Sequence, residues 1–147
     1  MKSQTILLVE DDDNDVVLYR RAMQKAGIEN VVRVVIDGQE AMHYLSGSGR
    51  YGGRAEFPLP QFIITDLKLP LKTGLDLVTW LRHQPTLRRI PAVVLSSTAN
   101  PGEINQVYEA GANAFLVKPS GMDQLVELFG AIKRFWLIHN QPPTLKG

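Results

Sequence analysis

Short runs of consecutive apolar residues, rich in valine and isoleucine, alternate along the chain with longer stretches whose apolar positions recur every three or four residues. The first pattern belongs to strands of a parallel sheet and the second to amphipathic crossover helices, so the class expected is α/β. Five runs predict strands: Ile6-Leu7-Leu8-Val9, Val31 to Ile36, Phe62-Ile63-Ile64, Ala92-Val93-Val94-Leu95 and Ala114-Phe115-Leu116-Val117. Because the first, third and fourth are apolar at successive positions, both of their faces should be covered. The first helix should open within Asp12-Asp13-Asn14-Asp15, where carboxylates suit an N-cap and the positive end of the helix dipole. Its buried stripe is predicted at Val16, Tyr19, Met23 and Ala26, and Gly27 should stop it. A second helix follows Gly38 through Ala41, Met42 and Leu45. A third runs from about Gly74 to His83 with Leu77, Val78 and Leu81 inward, and Pro85 ends it. The fourth covers Pro101 to Ala110 and stops at Gly111. The last carries Leu125, Phe129, Ile132 and Trp136 on one stripe and continues to about Ile138.

Two stretches lack periodicity. Ser46 to Pro60, SGSGRYGGRAEFPLP, reads as an exposed loop between the second helix and third strand, with Arg50 and Arg54 solvated. Beyond His139, residues 139–147 read as a disordered or loosely docked tail. The repeat carries on across the glycine-rich stretch, so residues 1–147 are expected to form one domain.

Composition narrows the function classes. Lysine and arginine number 16 against 15 acidic residues, leaving no cationic surplus to drive binding to nucleic acid or anionic lipid. With no cysteine, disulfides, thiolate zinc sites and cysteine nucleophiles drop out. The first apolar run is too short for a signal peptide or a membrane span, so a soluble cytoplasmic protein is expected.

Five β/α units in this order suggest a flavodoxin-like doubly wound sheet, strand order 2-1-3-4-5, whose sites lie at the carboxyl ends of the strands. Strand one ends in Glu10-Asp11-Asp12, strand three in Asp66, strand four in Ser96-Ser97 and strand five in Lys118-Pro119. Taken singly, each has an ordinary explanation: a helix cap, a turn residue, a surface lysine. Together at successive strand ends they suggest chemistry. Carboxylates gathered there repel unless a cation joins them, and hard oxygen ligands select magnesium over zinc. Asp66 would then serve as nucleophile toward a phosphoryl group, with Ser96 donating to one of its oxygens and Lys118 neutralising another.

Four segments, LLVED at 7–11, DLKLPLKTG at 66–74, VVLSS at 93–97 and AFLVKP at 114–119, closely resemble the receiver domains of two-component response regulators. The resemblance implies that Asp66 is the phosphoacceptor and that Glu10 and Asp11 form the acidic magnesium pocket, with the Lys68 carbonyl completing the metal shell. It makes Ser96 and Phe115 the switch residues; Phe115 replaces a frequent tyrosine and lacks its hydroxyl. It also implies a cis bond between Lys118 and Pro119, aiming the lysine inward. Lys68 stands where an asparagine or similar polar residue is more common and is expected to cover the phosphoryl group. Thr98 should lie near the same mouth. A narrower likeness, carried by VEDDDNDVVLYRRA, the lengthened glycine-rich loop, LRHQPTLRRIPAVVLSS and RFWL with its Pro-containing tail, is to single-domain regulators that partner phytochrome-type histidine kinases.

The function expected is therefore that of a stand-alone phosphorelay receiver working with a sensor histidine kinase rather than a turnover enzyme, with too few residues after the last strand for a helix-turn-helix module. A phosphohydrolase would want a general acid two residues beyond its nucleophile, where Lys68 stands. A pseudo-receiver binding partners without phosphorylation would have no need of Asp11, Asp66, Ser96 and Lys118 together. Phe135, Leu137 and Ile138 lie off the stripe of the last helix, and with the narrower resemblance they suggest a homodimer.

Overall fold

The structure, a computed structural model, describes residues 4–145. Five strands, β1 (Thr5–Val9), β2 (Val31–Val35), β3 (Phe62–Thr65), β4 (Ala92–Ser96) and β5 (Ala114–Val117), alternate with α1 (Asp13–Lys25), α2 (Gly38–Ser46), α3 (Gly74–Arg82), α4 (Pro101–Ala110) and α5 (Met122–Ile132). The strands pair in parallel in the order 2-1-3-4-5, the flavodoxin-like arrangement expected.

Alternation within each strand splits the core into two layers. Leu7, Val9, Ile63 and Val94 face α2, α3 and α4, joined there by Leu45, Leu77, Leu81 and Val107. Ile6, Leu8, Phe62, Ile64, Val93 and Leu95 face α1 and α5, meeting Tyr19, Met23, Leu125, Phe129 and Ile132. A strand with helices on both sides has no polar face to show, which is why β1, β3 and β4 carry unbroken apolar runs, with Thr5, Thr65 and Ser96 only at their ends.

Several boundaries differ from expectation, each for a local reason. On α1 the buried residues are Tyr19, Ala22 and Met23, while Val16 and Ala26 are only partly covered. An alanine fits where the helix lies closest to its neighbours, and its small size hid it from the apolar pattern. β2 ends at Val35, and Ile36 is exposed because its N–H turns to the Glu40 carboxylate.

The segment 46–60 is not the solvated loop its composition suggests. A single 3-10 turn, Gly49–Gly52, buries Tyr51 against Tyr44 and Phe57, with ring centroids 5.1 and 5.0 Å away. Arg54 donates to the carbonyls of Tyr44 (2.8 Å), Leu45 (2.6 Å) and Phe57 (3.2 Å). The last carbonyls of a helix have no intrahelical partner, and here a guanidinium supplies the donors. Arg50 remains exposed, bonded to Tyr51 Oη at 2.7 Å and 3.4 Å from Glu40.

The chain past α5 also docks. A π-helical turn, Lys133–His139, stacks Trp136 on Phe62 with centroids 5.9 Å apart, and Leu137 packs into the same layer. Leu137 is therefore not one of the unhoused apolar groups; Phe135 and Ile138, each 55% exposed, are. Farther on, Leu145 packs against the opposite layer and Arg89 donates to the Thr144 carbonyl at 3.2 Å. The final two residues of the expected tail, Lys146 and Gly147, lie outside the described residues.

Candidate functional site

Strand register decides which residues meet. Val9 lies opposite Thr65, so Glu10 and Asp66, one step on, stand side by side at the carboxyl ends of β1 and β3. Ser96 lies opposite Val117, so Lys118 follows at the same edge. The chain then leaves the sheet at every one of these positions, and the freed side chains share one crevice.

Asp66 is partly buried and its Oδ1 accepts the Leu67 N–H at 2.7 Å. The turn after it is closed by Gly74, whose N–H reaches the Leu67 carbonyl at 2.9 Å. A Cβ on Gly74 would stand 2.3 Å from the Asp66 carbonyl oxygen, so only glycine permits this approach. Glu10 is 2% exposed and accepts the Asp12 N–H at 3.0 Å. Asp11 is exposed. One carboxylate oxygen from each of Glu10, Asp11 and Asp66 lies within 4.8 Å of the others.

Such a group is electrostatically poor as it stands. Burial, with the charges of Asp66, Asp15 and Asp11 adding to it, pushes the Glu10 carboxyl up to about 7, against the pull of the Asp12 N–H. Asp66 is also raised, first by burial, then by Asp11 and Asp15, while the N–H groups of Leu67 and Lys68 act against the rise. A divalent cation would reverse both effects, and an all-oxygen donor set of this size suits magnesium or manganese. The residues present fit such an ion.

The remaining expected residues fall into place unevenly. Ser96 is buried, 3% exposed, and its Oγ accepts the Thr98 N–H at 3.4 Å. Phe115, opposite Val94 on β5, packs partly against the α2–α4 layer. Lys68 is exposed, and its Nζ lies 3.8 Å from Glu103 on α4. The nearby carboxylate offers the ammonium a partner that a bare Asp66, already taken up by main-chain donors, does not. A cavity of about 510 Å³ opens here between Asp11, the 67–70 turn and α4.

Lys118 is the largest departure. No peptide bond among the described residues is cis, so the Lys118–Pro119 bond is trans, the form the tertiary amide favours by about 0.5–1 kcal/mol. The lysine is aimed by an ion pair with Asp15 on α1, and its Nζ lies 5.6 Å from the Tyr19 ring centroid. Asp15 is thus a site residue that the sequence reading assigned to helix capping. The cap is Asp12, whose Oδ1 accepts from Asn14 (2.8 Å) and Asp15 (3.2 Å). Asp15 and Tyr19, four residues apart, share one helix face, a spacing that could have marked Asp15 as pointing toward the sheet.

Removing Asp11 tests the cation site without touching the buried carboxyls. Asp11→Ala is expected to abolish the magnesium-induced rise in melting temperature. The metal-free variant should melt about 3 °C higher than the unsubstituted protein, since roughly 1 kcal/mol of repulsion is lost. Melts with and without magnesium check both halves.

The response regulator receiver domain profile matches residues 6–129. Response regulator Rcp1 of Synechocystis sp. is 33% identical over 134 residues, which are 91% of this chain and 89% of that protein. Among solved structures, the phosphorylated cyanobacterial phytochrome response regulator RcpA superposes with a TM-score of 0.88 at 35% identity, covering 97% of this chain and all of that one. The Mn(2+)-bound form of Rcp1 superposes at 0.84 with 32% identity, covering 96% and 99%.

Proposed function

This chain belongs to the response regulator receiver family, and from that premise we propose that it is a phosphoacceptor in a two-component relay, carrying the phosphoryl group on Asp66. The observation that carries the reading is the meeting of Asp66 with Glu10 and Asp11 within 4.8 Å, in the same crevice as Ser96 and Lys118. In the transfer, an Asp66 carboxylate oxygen attacks phosphorus as the bond to the donor histidine nitrogen breaks, and the imidazole leaves. Hydrolysis later adds water at phosphorus, releases phosphate and restores the carboxylate. Glu10, Asp11, Asp66 and the Lys68 carbonyl would hold magnesium, which when bound offsets charge on the phosphoryl oxygens. Ser96 Oγ donates to a phosphoryl oxygen, and the Lys118 ammonium neutralises another.

Lys118 must leave Asp15 to do this. Asp15→Asn takes away the competing carboxylate and one negative charge near Asp66, so initial phosphorylation by acetyl phosphate should speed up by roughly fivefold. Stopped samples resolved by phosphate-affinity electrophoresis give the rate.

The donor is a sensor histidine kinase of the phytochrome type, a reading supported by the likeness to RcpA and Rcp1, and the chain works beside it in the cytoplasm. Its chemistry is confined to its own phosphorylation and slow dephosphorylation, with conformation as output. A homodimer through Phe135 and Ile138 accounts for two large apolar side chains, each 55% exposed, at adjacent turns of the last helix. Polar replacement of both should convert a dimer to a folded monomer by light scattering; a monomeric unsubstituted protein at micromolar concentration would contradict the assignment. The function itself is tested by incubating the chain with a phosphorylated phytochrome-type kinase and following the label to Asp66.

A further inference from the structure

A second cleft lies at the open edge of the sheet, away from the crevice of Asp66. β2 is an edge strand that pairs only with β1. Between its residues Val32 to Val35 and the segment from Arg50 to Phe57 is a cavity of about 360 Å³. Three guanidinium groups reach it from three different elements: Arg20 from α1, Arg33 from β2 and Arg50 from the 3-10 turn. Glu56 is the only acidic side chain lining it among the described residues, and Arg50 has a partner in Glu40.

These guanidiniums are held in place, but their donors are largely unused. Arg20 Nη2 makes one long bond, 3.4 Å, to the Val32 carbonyl. Arg33 Nη2 donates to the Glu56 carbonyl at 3.0 Å, while its Nε is buried with no hydrogen-bond partner. Because that Nε is closed off, the donors Arg33 offers the cleft are those of its Nη atoms. Aromatic rings fix two of the planes: Arg33 Cζ lies 5.5 Å from the Phe57 ring centroid and Arg50 Cζ 4.7 Å from that of Tyr51. Planar forks anchored on rings, with spare N–H groups and little countercharge, match the geometry of phosphate oxygens. The volume is at the small end for ligand sites and admits nothing much larger than a mononucleotide.

We propose that this cleft binds a small organic phosphate of mononucleotide size through Arg20, Arg33 and Arg50. The ligand is distinct from the phosphodonor, because Asp66, Ser96 and Lys118 line none of the cleft. Nothing in this depends on Asp66 being phosphorylated, and the two sites are tested separately.

The experiment is a two-dimensional amide and guanidinium NMR titration of the full chain at low salt with inorganic pyrophosphate, adenosine monophosphate and adenosine. Pyrophosphate and adenosine monophosphate should each bind with a Kd below about 1 mM, shifting Arg20, Arg33, Arg50 and Tyr51, whereas adenosine should not bind. Arg33→Gln should weaken both anions by about tenfold or more, as expected for loss of a charge-assisted pair. Since Arg33 also braces Glu56 and Phe57, Arg20→Gln provides a second variant on an exposed side chain and should show a loss in the same direction. Both variants should keep the melting temperature and the acetyl phosphate labelling of Asp66. Absence of binding, binding unchanged in both variants, shifts confined to the Asp66 crevice, or pyrophosphate binding as an adventitious ion only, without adenosine monophosphate, would each overturn the proposal.

Discussion

Asp66→Asn should take up no phosphoryl group from acetyl phosphate while folding as the unsubstituted protein does. The amide oxygen can still accept the Leu67 N–H that now reaches Asp66 Oδ1 at 2.7 Å, so the turn leading to Gly74 keeps its bond. What disappears is the anionic nucleophile. Because burial and the neighbouring Asp11 and Asp15 charges raise the Asp66 carboxyl, removing its charge should also make the metal-free protein slightly more stable. Asp66→Ala should abolish labelling equally but melt lower than the asparagine variant, since the turn bond is lost at a cost of about 1 kcal/mol. Intact-mass spectrometry and thermal melts on the two variants read both effects; a phosphoryl adduct on either would remove Asp66 from its role.

The other large effect expected is on stability against pH. Glu10 holds its proton up to about 7 in the folded chain, against an ordinary value of 4.5. Between those values the folded state binds more protons than the unfolded one, so stability must fall as pH rises. The contribution is fully present below about pH 4.5, declines across the window, and is gone above about 7. For a side chain only 2% exposed, the shift corresponds to a loss on the order of 3 kcal/mol. Melts of the metal-free protein should therefore drop by roughly 8 °C over that range. Glu10→Gln should flatten the dependence. Saturating magnesium should invert it, since a metal ligand must be deprotonated and the ion compensates the buried anion. A metal-free stability that falls from pH 5 to 7.5 as steeply in Glu10→Gln as in the unsubstituted chain would show that Glu10 is not the group responsible.

How far the sequence could be read follows from which interactions are local. β1, β3 and β4 each carry an unbroken apolar run of three or four residues because both faces are covered, and such a run needs no knowledge of the neighbours. The first helix start was legible from its capping carboxylates at Asp12, whereas the Thr73 cap of α3 emerged only from the structure. The site was legible because parallel strands deliver their carboxyl ends to one edge whatever the loops do, so Glu10, Asp11, Asp66, Ser96 and Lys118 could be assembled from order alone. Direction of a long side chain was not. Lys118 pairs with Asp15, 103 positions away in the chain, and Lys68 with Glu103, and no periodicity encodes either choice. The glycine-rich stretch misled for a related reason: Tyr51 and Arg54 dock on α2, and composition registers the glycines between them but not the carbonyls and rings that receive them. The same holds for Leu137 and Leu145, which pack on opposite layers of the core from a segment that reads as a tail.

The proposed role requires Asp66 to take up a phosphoryl group with the help of a cation held by Glu10 and Asp11. It is tested most directly by intact-mass spectrometry of the unsubstituted chain after acetyl phosphate, with magnesium in one sample and a chelator in the other. The account predicts one phosphoryl adduct, on Asp66, in magnesium and none in the chelator. An adduct formed equally in both samples, or none in either, would contradict it.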